Sequence, residues 1–244
     1  MEALEAVLKI DEELETEEDP YISPRSPPLR LAKEFKEIVK LPPPAGLQMP
    51  LLDVIKARRS KRIFNPFKPV PLQSLANILF AAAGTTERVD GIYGVLDYPL
   101  RASPSAGGLH CVDVYIVAFN VEGLDAGVYY YDYTVHGLGV ICRPCYPHTL
   151  SESFTQGEFK NAPVAVFLVA DLSRGLWKYG KAFYKYCLVD AGALAENMHL
   201  AAVAEGLSSV LVAGFNRKAV AASLGLERHE RPILAFVLGY GVRD

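Results

Sequence analysis

The segment Arg58-Arg59-Ser60-Lys61-Arg62 carries the densest chemistry in the chain. From Val54 to Thr86 there is no acid, while Lys56, Arg58, Arg59, Lys61, Arg62 and Lys68 contribute six positive charges. In extended backbone, residues 58, 60 and 62 share one face. Four residues of such chain span roughly 13 Å, comparable to the distance from the phosphate of a mononucleotide to its ring system. An Arg at one end can hold a phosphate bidentately, and a Ser hydroxyl can hold a phosphate or sugar oxygen. The Arg at the far end would then stand beside the ring. A solvated basic turn after a helix has the same composition, so the strip alone leaves both readings open.

Two other segments suit a flat ring. Ser103-Pro104-Ser105-Ala106-Gly107-Gly108 is a loop of small residues ahead of an apolar run, and it lets a ring approach backbone amides. Val212-Ala213-Gly214-Phe215-Asn216 leaves a strand and opens toward a helix, again with a glycine. Ordinary turns share both compositions. The aromatic stretch Trp177–Tyr186 reads as a lid helix over a pocket and holds two Lys-Tyr pairs, Lys178-Tyr179 and Lys185-Tyr186. Cys142-Arg143-Pro144-Cys145, with His148 nearby, has metal or redox spacing, but a closed zinc site needs four ligands and only one such pair exists. No metal is expected, and the four cysteines fit reduced thiols. His110 and His199 read as structural histidines.

The elements that position these segments follow from periodicity. Residues 2–19 carry nine acids against Lys9 alone and read as a short acidic helix ended by Pro20. A proline-rich stretch to residue 50 reads as an arm over the body or a neighbouring subunit, or as a partly ordered tail, with a possible helix at Leu31–Val39. Residues 1–49 thus form the arm and 50–244 one domain. Leu51–Arg58 predicts a helix with Leu52 and Ile55 inward. Gln73–Ala83 predicts a second helix, ended by Gly84. Strands are expected at Asp113–Phe119, Gly127–Tyr133, Val164–Ala170, Ser208–Ala213 and Ile233–Leu238. Cys187–Glu205, rich in Ala and Gly, predicts a central helix that others approach closely, and Arg217–Leu224 a last helix. Helices and strands mix without βαβ alternation, which predicts an α+β fold.

Bulk properties narrow the function classes. The 244 residues are half hydrophobic with a net charge of −3, so no global field favours nucleic acid or an anionic membrane. The first residues lack a basic stretch followed by an apolar run, and no apolar run is long enough to cross a bilayer. A cytoplasmic protein is expected.

Taken in order, these segments resemble the nitroreductase superfamily, and within it the SagB-type dehydrogenases. The resemblance rests on Arg58 to Phe64, Pro71-Leu72 and its helix to Gly84, Ser103 to His110, Val121 to Leu124 with Gly127-Val128-Tyr129, Trp177 to Gly180, Tyr184 to Tyr186, Asp190 to Gly192, Asn197, and Val212 to Phe215. It covers about residues 50–241. It implies an α+β fold with a central mixed, largely antiparallel sheet flanked by helices, FMN as prosthetic group, and a homodimer with two sites at the interface. It assigns Arg58 and Ser60, with Arg59 between them, to the phosphate and ribityl end and Arg62 to the N1/O2 edge of the ring. Pro104, Ser105, Ala106 and Gly107 would pack along the isoalloxazine, Ala213 and Gly214 near N5, and Arg243 would add a phosphate contact. The electron donor would be NAD(P)H or an organic substrate, and the acceptor a quinone, nitro compound or oxygen. Some SagB-type proteins oxidise azolines in modified peptides with a Lys-Tyr pair, which nominates Lys185-Tyr186, or Lys178-Tyr179, as acid and base. A flavin-binding partner protein without turnover is the non-enzymatic alternative.

Overall fold

The computed structural model describes residues 31–242, with Glu5 and Lys9 before them, both helical. The expected acidic helix and Arg243 otherwise lie outside the described residues. Seven strands form the main sheet: β1 (Ile38–Lys40), β2 (Val112–Ala118), β3 (Gly127–Asp132), β4 (Gly137–Cys142), β5 (Val164–Asp171), β6 (Ser208–Val212) and β7 (Glu230–Gly239). Their spatial order is β1-β4-β3-β2-β5-β7-β6, and each neighbouring pair is antiparallel. A single parallel bridge, Ser60 to Ser209, extends the β6 edge. The fold is α+β with a largely antiparallel sheet, as expected.

Apolar runs in β2 and β5 are continuous because both sheet faces are covered. All seven residues of β2 and all eight of β5 are buried. Alternation divides β2 between two cores. Val112, Val114, Ile116 and Ala118 join the helical side, while Tyr115 and Val117 join a cluster with Phe154, Phe167, Phe215 and Val220. The four longer helices are α1 (Leu51–Ala57), α2 (Leu72–Ala83), α3 (Phe183–Ala204) and α4 (Arg217–Ser223). Helix α3 is central, and Ala191, Leu194, Ala195, Met198, Ala201 and Ala202 bury its inner side. Gly84 does end α2, but with φ −64 it is not a left-handed cap. A Cβ there would lie 2.3 Å from the Phe80 ring, so glycine is required for space.

Four expectations are corrected. Leu31–Val39 is not a helix: residues 31–37 are irregular and 38–40 form β1. Tertiary contacts outweigh local propensity here, since Phe35 stacks on Tyr130 at 5.2 Å and β1 pairs with Gly137 to Gly139 of β4. In α1 the inward residue is Val54, whereas Leu51, Leu52 and Ile55 are 66%, 60% and 51% exposed. The lid expected as one helix starts as a turn at Leu176–Tyr179, and a kink at Gly180, φ 54, separates it from α3. Finally, Cys142 and Cys145 are not both thiols. The two-residue turn brings their Cα atoms to 6.0 Å, within disulfide reach, and the sulfurs are bonded at 2.06 Å. Cys111 and Cys187 are free and buried.

One buried cluster ties the sheet to the loops. Arg174 donates from Nη2 to both Asp113 oxygens, 2.7 and 2.8 Å, and from Nε to Asp171 at 3.0 Å. Tyr130 Oη adds a bond to Asp113, and the Arg174 guanidinium also reaches His110 O. Burial opposes the Arg174 charge, but Asp113, Tyr130 and Asp171 more than offset it and hold the guanidinium charged.

Candidate active site

Helix α1 stops at Ala57, and Arg58 turns to extended backbone, φ −56 and ψ 123. The basic strip then runs along the sheet edge. Lys61 N–H donates to Ser209 O at 3.0 Å, and Ile63 O accepts from Val242 N–H. Arg59, Ser60, Lys61, Arg62, Ile63 and Val242 line an open recess of about 360 Å³ that has no acid on its walls among the described residues. The Arg59 guanidinium is engaged by the carbonyls of Lys56 and Arg58. Arg58 is half-buried, and its charge, after burial itself, keeps the enclosed His199 below its usual pKa.

Strand β6 links the strip to the second segment. From Ser209, beside Ser60, the chain runs to Ala213 and Gly214, which are exposed at its far end. Five residues of strand cover about 16 Å. Gly214 is fixed by its carbonyl, which accepts from Thr155 N–H at 3.0 Å, and Asn216 caps α4 through Ala219 N–H.

The loop at Pro104–Gly107 is held elsewhere. Asp190 of α3 accepts from Ser105 Oγ at 2.7 Å and from Ala106 N–H at 3.1 Å, and Ser105 Oγ in turn accepts from His110 N–H. Asp190 lies nine residues before His199, about 13 Å along α3. The structure therefore brings the strip and Gly214 to one strand, but sets the loop of the same chain at another point on the central helix.

Three polar groups gather over that loop. Gly107 has φ 60, and a Cβ on it would meet Tyr179 Oη at 2.5 Å, Lys178 Nζ at 2.9 Å and Tyr93 Oη at 3.0 Å. Tyr93 Oη donates to Gly107 O at 2.5 Å, and Lys178 Nζ donates to Tyr93 Oη at 2.8 Å. Burial lowers the Lys178 pKa, but hydrogen bonds to Tyr93 and Tyr179 reverse this and raise it. Lys185 and Tyr186 lie exposed on the first turns of α3, with the Tyr186 ring 5.2 Å from that of Tyr179. Tyr93 was not legible as a site residue. It lies between two short paired strands, Thr85–Val89 and Tyr98–Arg101, in the left-handed region at φ 52. Asp190 had no role on sequence grounds either, although its Asp-Ala-Gly setting marked the position.

His110 closes the loop and is 4% exposed, with Nε2 2.8 Å from Pro99 O. Burial, followed by the charge of Arg101, pulls its pKa down to about 3. It is therefore neutral when folded, while the unfolded chain binds a proton near the ordinary value of 6.5. Between these values the unfolded state holds the extra proton, so stability falls as pH falls, by up to ~1.4 kcal/mol per pH unit. Melting from pH 7 to pH 5 should show a weaker acid loss in His110→Gln than in the parent. Equal slopes would remove His110 from the account.

The comparisons with known proteins agree with this geometry. The model of the nitroreductase family matches residues 55–240. A protein of Methanocaldococcus jannaschii named as a nitroreductase is 28% identical over 193 residues, 79% of this chain and 91% of that one. A crystal structure titled as a nitroreductase from Ralstonia eutropha superposes with a TM-score of 0.69 at 27% identity, over 85% of this chain and 90% of that one. At 21% identity, a chain of the Escherichia coli microcin synthetase McbBCD complex, with truncated pro-MccB17 bound, shares the fold with a TM-score of 0.63, over 100% of this chain and 94% of that one. With a family match across the strip, the small-residue loop, the central helix and β6, the chain belongs to the nitroreductase family.

Proposed function

We propose that this nitroreductase-family oxidoreductase binds FMN at an interface between two copies of itself and transfers hydride between an electron donor and an organic or oxygen acceptor. The Ser60–Ser209 bridge carries the reading. It sets the basic strip at one end of β6, about 16 Å of strand from Gly214, and an FMN spans a similar length from phosphate to ring. The residues fit the group: a recess lined by Arg59, Lys61 and Arg62 at one end suits a dianionic phosphate, and the exposed Ala213–Gly214 backbone at the other suits a flat ring. Arg58, Ser60 and Arg62 would hold it, with Pro104, Ser105, Ala106 and Gly107 coming from the second copy. Bound FMN would supply hydride acceptance and release at N5. The chain's own residues do the rest. The strip binds charge, the loop excludes water, and Lys178 with Tyr179 holds a proton beside Gly107. We assign the acid–base role to Lys178-Tyr179, with Lys185-Tyr186 as the alternative pair, because Lys178 Nζ and Tyr179 Oη converge on Gly107.

The test is an anaerobic absorbance spectrum of the purified protein as NADH and NADPH are added. Flavin bands that bleach establish a nicotinamide-driven reductase. A colourless protein that cannot be loaded with FMN overturns the proposal. In turnover with a quinone or nitro acceptor, Lys178→Ala should lose about 100-fold and Lys185→Ala little. The opposite order transfers the role to the second pair. Bands that persist favour oxidation of an azoline in a modified peptide, a reading supported by the Lys178, Tyr179 and Tyr93 cluster and by the fold shared with the microcin synthetase chain.

The dimer accounts for the outward face of α1. Leu51, Leu52 and Ile55 stand exposed on α1, at 66%, 60% and 51%, a strongly apolar set for a free surface. Leu52→Glu with Ile55→Glu should convert a dimer to a monomer in light scattering and release FMN. A variant that stays dimeric shows that this face is not the interface.

A further inference from the structure

We propose that Cys142 and Cys145 form a thiol–disulfide exchange site that accepts electrons from a small thiol reductant. Cys142 is the last residue of β4, and the pair closes a loop over only two residues. So short a loop removes little entropy from the unfolded chain, which makes the bond a weak structural staple. The turn is also held without it. Cys145 N–H donates to Ala126 O at 3.0 Å, and Arg143 pairs with Glu37 and Asp125. After reduction the two sulfurs would stay opposed and ready to close again.

Access is present as well. Both cysteines are half-buried and line a recess of about 330 Å³ with Tyr146, His148, Leu150 and Ser223. Exposed disulfides are the exchangeable ones. None of Arg58, Ser60, Arg62, Ala213 and Gly214, which are proposed to meet the flavin, lines this recess. The inference therefore does not rest on the FMN reading.

The exchange balances as a two-electron step. A thiolate of the reductant attacks one sulfur, the Cys142–Cys145 bond breaks, and a mixed disulfide forms while the other cysteine leaves as thiolate. A second thiolate displaces the mixed disulfide. The products are two cysteine thiols and one oxidised disulfide of the reductant, with His148 on the recess wall as a proton acceptor and donor.

The test equilibrates the folded full chain in graded mixtures of reduced and oxidised glutathione, followed by acid quench, alkylation and mass analysis of the peptide holding both cysteines. Graded conversion between disulfide and dithiol is expected, with Cys111 and Cys187 free of glutathione, and glutathione trapped on Cys145 in Cys142→Ser. A bond that survives fully reduced glutathione until the protein unfolds overturns the proposal, as do free thiols in fully oxidised buffer. The double variant Cys142→Ser, Cys145→Ser should melt within about 5 °C of the parent. A larger loss makes the bond a structural staple and also overturns it.

Discussion

Arg58→Ala combined with Ser60→Ala should yield protein that loses its flavin during purification, with FMN affinity reduced about 100-fold or more. The two substitutions remove one charge-assisted and one hydroxyl contact to the proposed phosphate, each worth roughly 1–3 kcal/mol. Every factor of ten needs only about 1.4 kcal/mol. The ratio of flavin to protein absorbance and a fluorescence titration with added FMN read the effect. Arg59→Ala is the internal control. Its guanidinium is already taken by the carbonyls of Lys56 and Arg58, so a much smaller loss is expected. Full retention of flavin in the double variant would remove the phosphate assignment. A loss in Arg59→Ala as large as in the double variant would shift the contact to the neighbouring side chain. Ser60 lies on the sheet edge and Arg58 just beyond a helix end, so melting should move little and separate a binding defect from a folding one.

The strip was legible because its message is local. The acid-free run can be read from side-chain types alone, whereas the extended backbone at Arg58 was one of two readings that composition left open. Its partner was not legible. The pairing of Ser60 with Ser209 joins positions far apart in sequence, and no periodicity records which edge receives a strand. The same limit hid β4. Gly137-Leu138-Gly139 looks like a turn, yet a Cβ on Gly139 would lie 2.2 Å from the Phe35 ring, so these glycines serve the approach of the arm. Helix α1 misled in the opposite way. Its Leu and Ile suggest an inward face, but Val54 is the residue that turns inward, and Leu51, Leu52 and Ile55 are exposed. Two Lys-Tyr pairs seven residues apart are equivalent on paper. Only the kink at Gly180 and the bare Cα of Gly107 distinguish them. Signals carried by composition survived, whereas those set by long-range packing did not.

Arg174→Met should produce the largest loss of stability of any single substitution considered, because it breaks an ion cluster rather than removing it. Methionine fills a similar length without charge, and Asp113, 1% exposed, would be left with Tyr130 Oη as its remaining side-chain partner among the described residues. Removing one member of a buried pair costs about 3–5 kcal/mol, chiefly through the stranded charge. For a domain of this size that is a fall of roughly 10 °C in melting temperature. If the stranded carboxylate is the cause, Arg174→Met with Asp113→Asn should recover part of the loss, and the cycle should give a coupling energy well above zero. Strict additivity would mean that the cost came from packing alone. A melting temperature within a few degrees of the parent would show that water or local relaxation satisfies Asp113. The effect should also reach the site. The Arg174 guanidinium reaches His110 O, and its own carbonyl accepts from Trp177 Nε1 at 2.9 Å. The side chain thus anchors the end of the Ser105–Gly107 loop, while the backbone carbonyl of the same residue holds the start of the segment that presents Lys178 and Tyr179. In the double variant, where stability partly returns but the bond to His110 O does not, turnover should stay low. That separation would show that the buried charge sets the geometry of the loop, not only the stability of the sheet beneath it.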